Sequence, residues 1–207
     1  MKNIHIKMTF TENILGTCNS NSEIHREFIA SKAPDAQSRE EEVAALGVDE
    51  VEQKSTTVFA RDEDGTPILW NYQIKGFFKE SCYMLRGMPG EDCSRESCKL
   101  KAYKKVIDGT IEPSGDGDVD RKIRLHIPDG WQISTNQRPL RGQTAQGERI
   151  ALASSEELPS GTWCELWIRC PDDREKAVLE WLNFGRYHGV CQWRNAGYGR
   201  FVYEVLA

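Results

Sequence analysis

The chain has 207 residues, 39% of them hydrophobic, enough for one large domain or two small ones whose core needs no covalent staples. A formal net charge of -5 argues against a protein held to nucleic acid by bulk charge. No apolar run approaches the roughly 20 residues of a membrane-spanning helix, so no membrane partner is expected.

The acidic excess is local. Residues 1–68 carry 7 basic and 13 acidic side chains, whereas residues 69–207 carry 20 and 19, which leaves room for a basic surface in the C-terminal two thirds. Seven scattered cysteines, an odd number, and an N-terminus without an apolar leader core predict a cytoplasmic protein with mostly free thiols. Cys93 and Cys98 form the one close pair, with Cys82 and His126 as remote further ligands. They are weak metal candidates, because tetrahedral zinc needs a second close pair that the sequence lacks. No cofactor is expected.

In chain order, IHIKMTFTENI alternates apolar and polar residues and predicts a strand ending near Leu15-Gly16. Two acidic helices follow: one capped by Ser22 with Ile24, Phe28 and Ile29 on one face, the other capped by Ser38 and stopped by Gly47. TTVFARDEDGTPILW reads as strand, Asp64-Gly65 turn and strand. Ile74, Phe77, Phe78, Cys82 and Leu85 then recur at helical spacing. Residues 87–98 and 109–120 are rich in Gly, Pro, Ser and charge and read as loops around a short basic helix in KLKAYKKVID. RKIRLHIPDG reads as a strand, and Pro159-Ser160-Gly161 as a hairpin turn between two more. DDREKAVLEWLNFG is an amphipathic helix with an acidic first turn and Gly185 as its stop, and GRFVYEVL is a final strand. Strands at both ends with helices between them predict an α+β fold.

Three of these stretches read together. RDEDGTPILWNYQIKGFFKE resembles the signature segment of the RAMP superfamily, the backbone subunits of CRISPR effectors, through Asp64-Gly65, Pro67, Ile68, Ile74, Lys75 and Gly76. Trp70-Asn71-Tyr72-Gln73 stands where that pattern has Pro-Gly-Ser-Ser. SSEELPSGTWCELWI is similar to a hairpin of those subunits, and GRYHGVCQWRNAGYGRFVYEV looks like their C-terminal glycine-rich loop. The match runs from about residue 60 to 207 in the right order. It implies a ferredoxin-like, RRM-related RAMP domain over residues 1–207, with an acidic helical insertion at 20–55 after the first strand and a loop-rich insertion at 87–120.

The same resemblance implies binding of RNA or another single strand within a CRISPR-type assembly, against effector subunits or copies of the chain itself. Lys75 is then a phosphate contact, with Lys79 as a further candidate. Gly197, Tyr198, Gly199 and Arg200 form the loop, whose amides would cradle phosphate while Arg or Tyr planes stack on bases. The alternative for Gly197 and Gly199 is a tight turn, and for Arg194 and Arg200 a solvated surface charge. Trp193 and Tyr198 are either stacking platforms or rim aromatics. Arg121, Lys122, Arg124, Arg138, Arg141 and Arg149 are candidates for a basic track. His25 is a weak candidate general acid or base for a metal-independent endoribonuclease. His188 reads as a phosphate contact or turn residue. The expectation is therefore a non-catalytic strand-binding subunit, with a phage or mobile-element anti-CRISPR protein occupying a subunit position, or the His25 nuclease, as alternatives.

Overall fold

A computed structural model describes residues 1–19, 56–88, 95–144 and 147–206, and the described residues form two compact units. The expected acidic helices at 20–55, and with them His25, lie outside the described residues. No helix of the described residues is long and apolar enough to cross a membrane.

The first unit comprises residues 1–14, 61–132 and 158–207. Its strand β1 (Lys2–Phe10) alternates as the sequence predicts, with Ile4, Ile6, Met8 and Phe10 buried. After the short strands β2 (Ile14–Leu15), β3 (Cys18–Asn19), β4 (Thr57–Val58) and β5 (Ala60–Arg61), strand β6 (Pro67–Trp70) leads directly into the long helix α1 (Asn71–Gly87). The DEDG segment is the turn between β5 and β6. Asp62 Oδ1 accepts the N–H groups of Asp64 and Thr66 at 3.1 and 2.8 Å, and Gly65 takes a φ of 80°.

Residues 87–120 hold more than loops. Besides the short basic helix expected in KLKAYKKVID, here α3 (Tyr103–Thr110), they supply helix α2 (Glu96–Lys99) and strand β7 (Glu112–Ser114). The sequence hides β7 because Pro113 and the following glycines read as turn chemistry, yet an edge strand tolerates a proline whose missing N–H would face away from its neighbour. Strand β8 (Lys122–Arg124) pairs with β6, and His126 forms an isolated bridge to Trp163. Strands β9 (Ser134–Thr144) and β10 (Gly147–Leu158) pair with each other in the second unit. Strand β11 (Trp163–Cys170), helix α4 (Glu175–Phe184) and strand β12 (Phe201–Val205) complete the chain.

The main sheet has the order β12-β1-β11-β7, with β1 antiparallel to both β11 and β12, and β11 antiparallel to β7. Taken with α1 between β1 and β7, and α4 between β11 and β12, this is the β-α-β-β-α-β order of a ferredoxin-like fold. Both helices cover one face of the sheet. Phe77 of α1 meets Phe201 at 5.1 Å between ring centroids, and Phe78 meets Trp181 of α4 at 5.5 Å. Each of these fully buried rings contributes roughly 1.5–3 kcal/mol. On the opposite face His5 stacks on Trp167 at 4.0 Å, and His126 stacks on Trp163 at 4.1 Å with the Lys7 ammonium 4.5 Å from the same indole.

The turn at Pro159-Ser160-Gly161 forms, closed by the Thr162 hydroxyl donating to the Pro159 carbonyl at 2.7 Å, with Gly161 at a φ of 86°. It is not a hairpin. Strand β10 before it and β11 after it belong to different sheets, so the turn is a crossing between sheets. The second unit, residues 15–60 and 133–157, is built on a sheet of order β2-β10-β4-β3 with β9 beside β10.

Burial pushes up the thiols of Cys164, of Cys82, and of Cys170, the last to about 11. An unfolded thiol loses its proton near pH 9, so above that pH the folded state holds protons that the unfolded chain has released. This contribution is fully present below pH 9 and is lost as pH rises toward 11. Denaturant midpoints measured under reducing conditions should therefore fall between about pH 8 and pH 10.5; equal midpoints would contradict the burial of these thiols.

Candidate nucleic-acid interface

Helix α1 begins where β6 ends, with the Trp70 N–H donating to Gln73 Oε1 at 2.7 Å, half of a capping box. Trp70 and Tyr72, in place of the small residues of the RAMP pattern, lie with rings nearly parallel and centroids 6.5 Å apart, and Tyr72 is 59% exposed. Asn71 is buried and its Nδ2 donates to Glu112 Oε1 at 3.0 Å. The replacement therefore offers aromatic surface instead of open backbone.

The two candidate lysines of α1 already have partners. Lys75 forms an ion pair with Glu112 and also donates to the Asp108 carbonyl at 3.4 Å. Lys79 pairs with Asp108 at 2.8 Å. These links tie α1 to α3 and β7, so a phosphate at either lysine would have to compete with a carboxylate.

The glycine-rich run from Gly185 to Arg200 packs as a closed loop between α4 and β12. Val190 N–H donates to the Gly199 carbonyl at 3.0 Å, Gly199 N–H to the Asn13 carbonyl at 2.9 Å and Gly197 N–H to the Arg194 carbonyl at 2.9 Å. These amides are engaged by protein carbonyls, unlike the free donors a phosphate cradle needs. Gly197 and Gly199 have φ values of 95° and 72°, and a Cβ on Gly199 would lie 2.0 Å from the Val190 carbonyl oxygen. Tight-turn geometry thus accounts for the glycines.

The loop's side chains are held differently. Cys191 and Trp193 have φ values of 67° and 56°, a conformation that disfavours any residue with a Cβ. The Trp193 indole lies on Tyr198 with centroids 5.0 Å apart and is 40% exposed. Arg194 forms an ion pair with Glu80 of α1, and His188, only 8% exposed, places Nε2 3.1 Å from the other oxygen of the same carboxylate. His188 is a buried turn residue, its N–H donating to the Phe184 carbonyl at 3.0 Å and its ring stacked on Phe184, and not a surface phosphate contact. Nothing in the sequence singled out Glu80, the α1 carboxylate that pairs with Arg194 and lies beside His188. Arg200 makes no ion pair or hydrogen bond through its guanidinium among the described residues, and its buried Nε lacks a partner.

The basic track divides. Arg124 is held between Asp62 at 2.8 Å and Asp64 at 3.3 Å, and Lys122 lies 3.7 Å from Glu63. Arg138 belongs to the second unit, where it is 5% exposed and donates to Ser155 Oγ at 3.2 Å. It is an interior residue and not a surface cation. The side chains of Arg141 and Arg149 lie outside the described residues, as does Cys93. Cys98, a weak metal candidate in the sequence, is disulfide-bonded, and no cluster of three metal-ligating side chains occurs among the described residues.

No family profile matches the chain, and no curated protein matches it significantly. Solved structures do. A chain of the type III-B Cmr-beta complex bound to cognate target RNA, determined by cryo-EM, superposes with a TM-score of 0.52 at 11% identity over 100% of this chain and 60% of that chain. The present chain therefore spans only 60% of that relative's length. A chain of a type IV-B CRISPR complex gives 0.50 at 13% identity over 100% and 91%. Cmr6 from Pyrococcus furiosus gives 0.46 at 14% identity over 97% of each chain. At such identities the likeness speaks to architecture alone, and that architecture is the RAMP-like α+β fold.

Proposed function

We propose that the chain is a non-catalytic component of a CRISPR-type assembly that grips single-stranded RNA with its 185–200 loop. The observation that carries this reading is the pair of left-handed residues, Cys191 and Trp193, which present a half-exposed indole stacked on Tyr198. Backbone strain of this kind is retained where a side chain must be aimed. Arg200, with no carboxylate partner among the described residues, supplies the phosphate contact, and Trp193 the stacking surface. The likeness to a subunit in a complex bound to target RNA supports the same reading.

Fluorescence anisotropy with labelled single-stranded RNA at low salt tests it. Trp193→Ala and Arg200→Ala should each weaken binding about tenfold, and only Arg200→Ala should flatten the salt dependence, by roughly one counterion. Absence of binding by the wild-type chain at low salt would overturn the proposal.

A second reading rests on the ion pairs of Lys75, Lys79 and Arg194, which neutralise three of the cations expected to face phosphate. On that reading the chain occupies a subunit position in a defence complex without holding RNA, as a mobile-element inhibitor would. Affinity purification would then recover effector subunits and no nucleic acid.

A further inference from the structure

The two edges of the main sheet are finished differently. At one edge β7 has three residues and contains Pro113, two features that keep a sheet edge from pairing further. At the other edge β12 has five, with no proline, lysine or bulge in its continuous register with β1. Thr11 N–H donates to the Arg200 carbonyl and Leu206 N–H to the His5 carbonyl, both at 2.9 Å. By the alternation of an antiparallel pair, Val202 and Glu204 then turn their backbone groups toward β1, while Phe201, Tyr203 and Val205 turn theirs outward. Phe201 N–H is taken by the Gly185 carbonyl at 3.1 Å. The N–H and C=O groups of Tyr203 and Val205 make no hydrogen bond among the described residues. The ladder partner for such alternating donors and acceptors is an extended peptide.

The side chains around this edge specify the sequence of that peptide. On the helix side Val205 is 58% exposed, and Arg186 directly follows the carbonyl that holds Phe201. Burial pushes the Tyr203 phenol up and the Arg186 guanidinium pulls it back, which sets that charge beside Tyr203. Arg186 is exposed and forms no ion pair among the described residues. On the opposite face Glu204 is exposed and equally unpaired. Its cross-strand neighbour Lys7 is turned over the Trp163 indole, 4.5 Å from the ring centre. Side chains of an extended strand alternate between faces, so three successive residues of an incoming strand meet Arg186, Glu204 and Val205. Their complement is a carboxylate, a cation and an apolar side chain, in that order along the edge.

We infer that the outer edge of β12 receives an extended segment of another protein, in which an acidic and an apolar residue flank a basic one. The acidic residue pairs with Arg186, the basic one with Glu204, and the apolar one covers Val205. The backbone of the segment takes up the free groups of Tyr203 and Val205 as a fifth strand of the main sheet. Trp193 and Arg200 take no part, so this docking and the strand-binding reading can fail separately.

Nuclear magnetic resonance on the isotope-labelled full chain tests the docking with the peptide Thr-Asp-Lys-Val-Lys-Asp-Thr, which presents the pattern in either strand direction. The control Thr-Lys-Asp-Val-Asp-Lys-Thr has the same composition with the charges exchanged. In about 50 mM salt the first peptide should shift the Tyr203 and Val205 amides and bind about tenfold more tightly than the control. Val205→Pro removes an outward N–H and no bond to β1, and should abolish binding. Arg186→Glu, at an exposed position, should remove the preference between the two peptides. No binding of the first peptide, equal binding of both, shifts confined to other elements, or full binding by Val205→Pro would each overturn the proposal. Shifts of the same amides that grow with protein concentration and need no peptide would mean that two copies pair along this edge, and would overturn it too. So would displacement of the peptide by single-stranded RNA seated on β12.

Discussion

Replacing Glu180 with alanine is expected to destabilise the first unit by about 3 kcal/mol, lowering the melting temperature by roughly 6–12 °C for a chain of this size. Glu180 Oε1 accepts the Glu96 N–H at 3.0 Å, and Oε2 accepts both the Ser97 N–H at 2.9 Å and the Ser97 hydroxyl. The Trp181 indole N–H donates to the same hydroxyl at 3.0 Å, and Ser97 is fully buried. One carboxylate therefore satisfies the first donors of α2, a helix of four residues too short to hold itself, and fastens it to α4. Removing it strands a buried hydroxyl and two amides. Ser97→Ala removes one donor to Glu180 and the acceptor of the buried Trp181 N–H, and should lose about 1–3 kcal/mol. Thermal melts of both variants check this, and a Glu180→Ala protein melting with the wild type would contradict the network.

Gly199→Ala should disrupt the loop itself. Its Cβ would meet a backbone oxygen at 2.0 Å, which no rotamer change can relieve, and φ at 72° adds strain. The contact can open only by breaking the Val190 to Gly199 and Gly199 to Asn13 hydrogen bonds. A loss of more than about 2 kcal/mol is expected, together with at least a tenfold drop in affinity for single-stranded RNA, because Trp193 and Arg200 depend on the loop's shape. Melting curves with anisotropy titrations distinguish the outcomes. A variant that melts early but binds normally would separate the glycines from recognition and leave them as packing devices.

Where the chain's chemistry is local, the sequence was readable. Ile74, Phe77, Phe78, Cys82 and Leu85 are all buried on one face of α1, as their spacing predicts, and the alternation of β1 holds from Ile4 to Phe10. The DEDG turn likewise follows from residue chemistry at its own positions. What depends on distant partners was not readable. Nothing near Lys75 announces Glu112, nothing near Arg138 announces its burial beside Ser155, and nothing in the loop announces Glu80. The Pro159-Ser160-Gly161 turn shows the same limit, because turn chemistry specifies a reversal but not which sheet receives the next strand. Glycine content misled in a similar way. It signalled close packing of backbone on backbone, while the proposed grip on a strand would act through the side chains of Trp193 and Arg200.

The position of β1 near the middle of the sheet has a consequence for the order of events during synthesis. Ile6 meets Leu166 on one side and Val205 on the other, so this strand finds its partners only in segments made long after it. Contacts so distant in sequence close slowly, because the loop entropy must be overcome before any ladder forms. Until β12 emerges, the backbone edge of β1 from Ile6 to Phe10 stays open to other nascent chains. Expression should therefore be limited by aggregation of chains truncated before residue 201, more than by the stability of the finished fold.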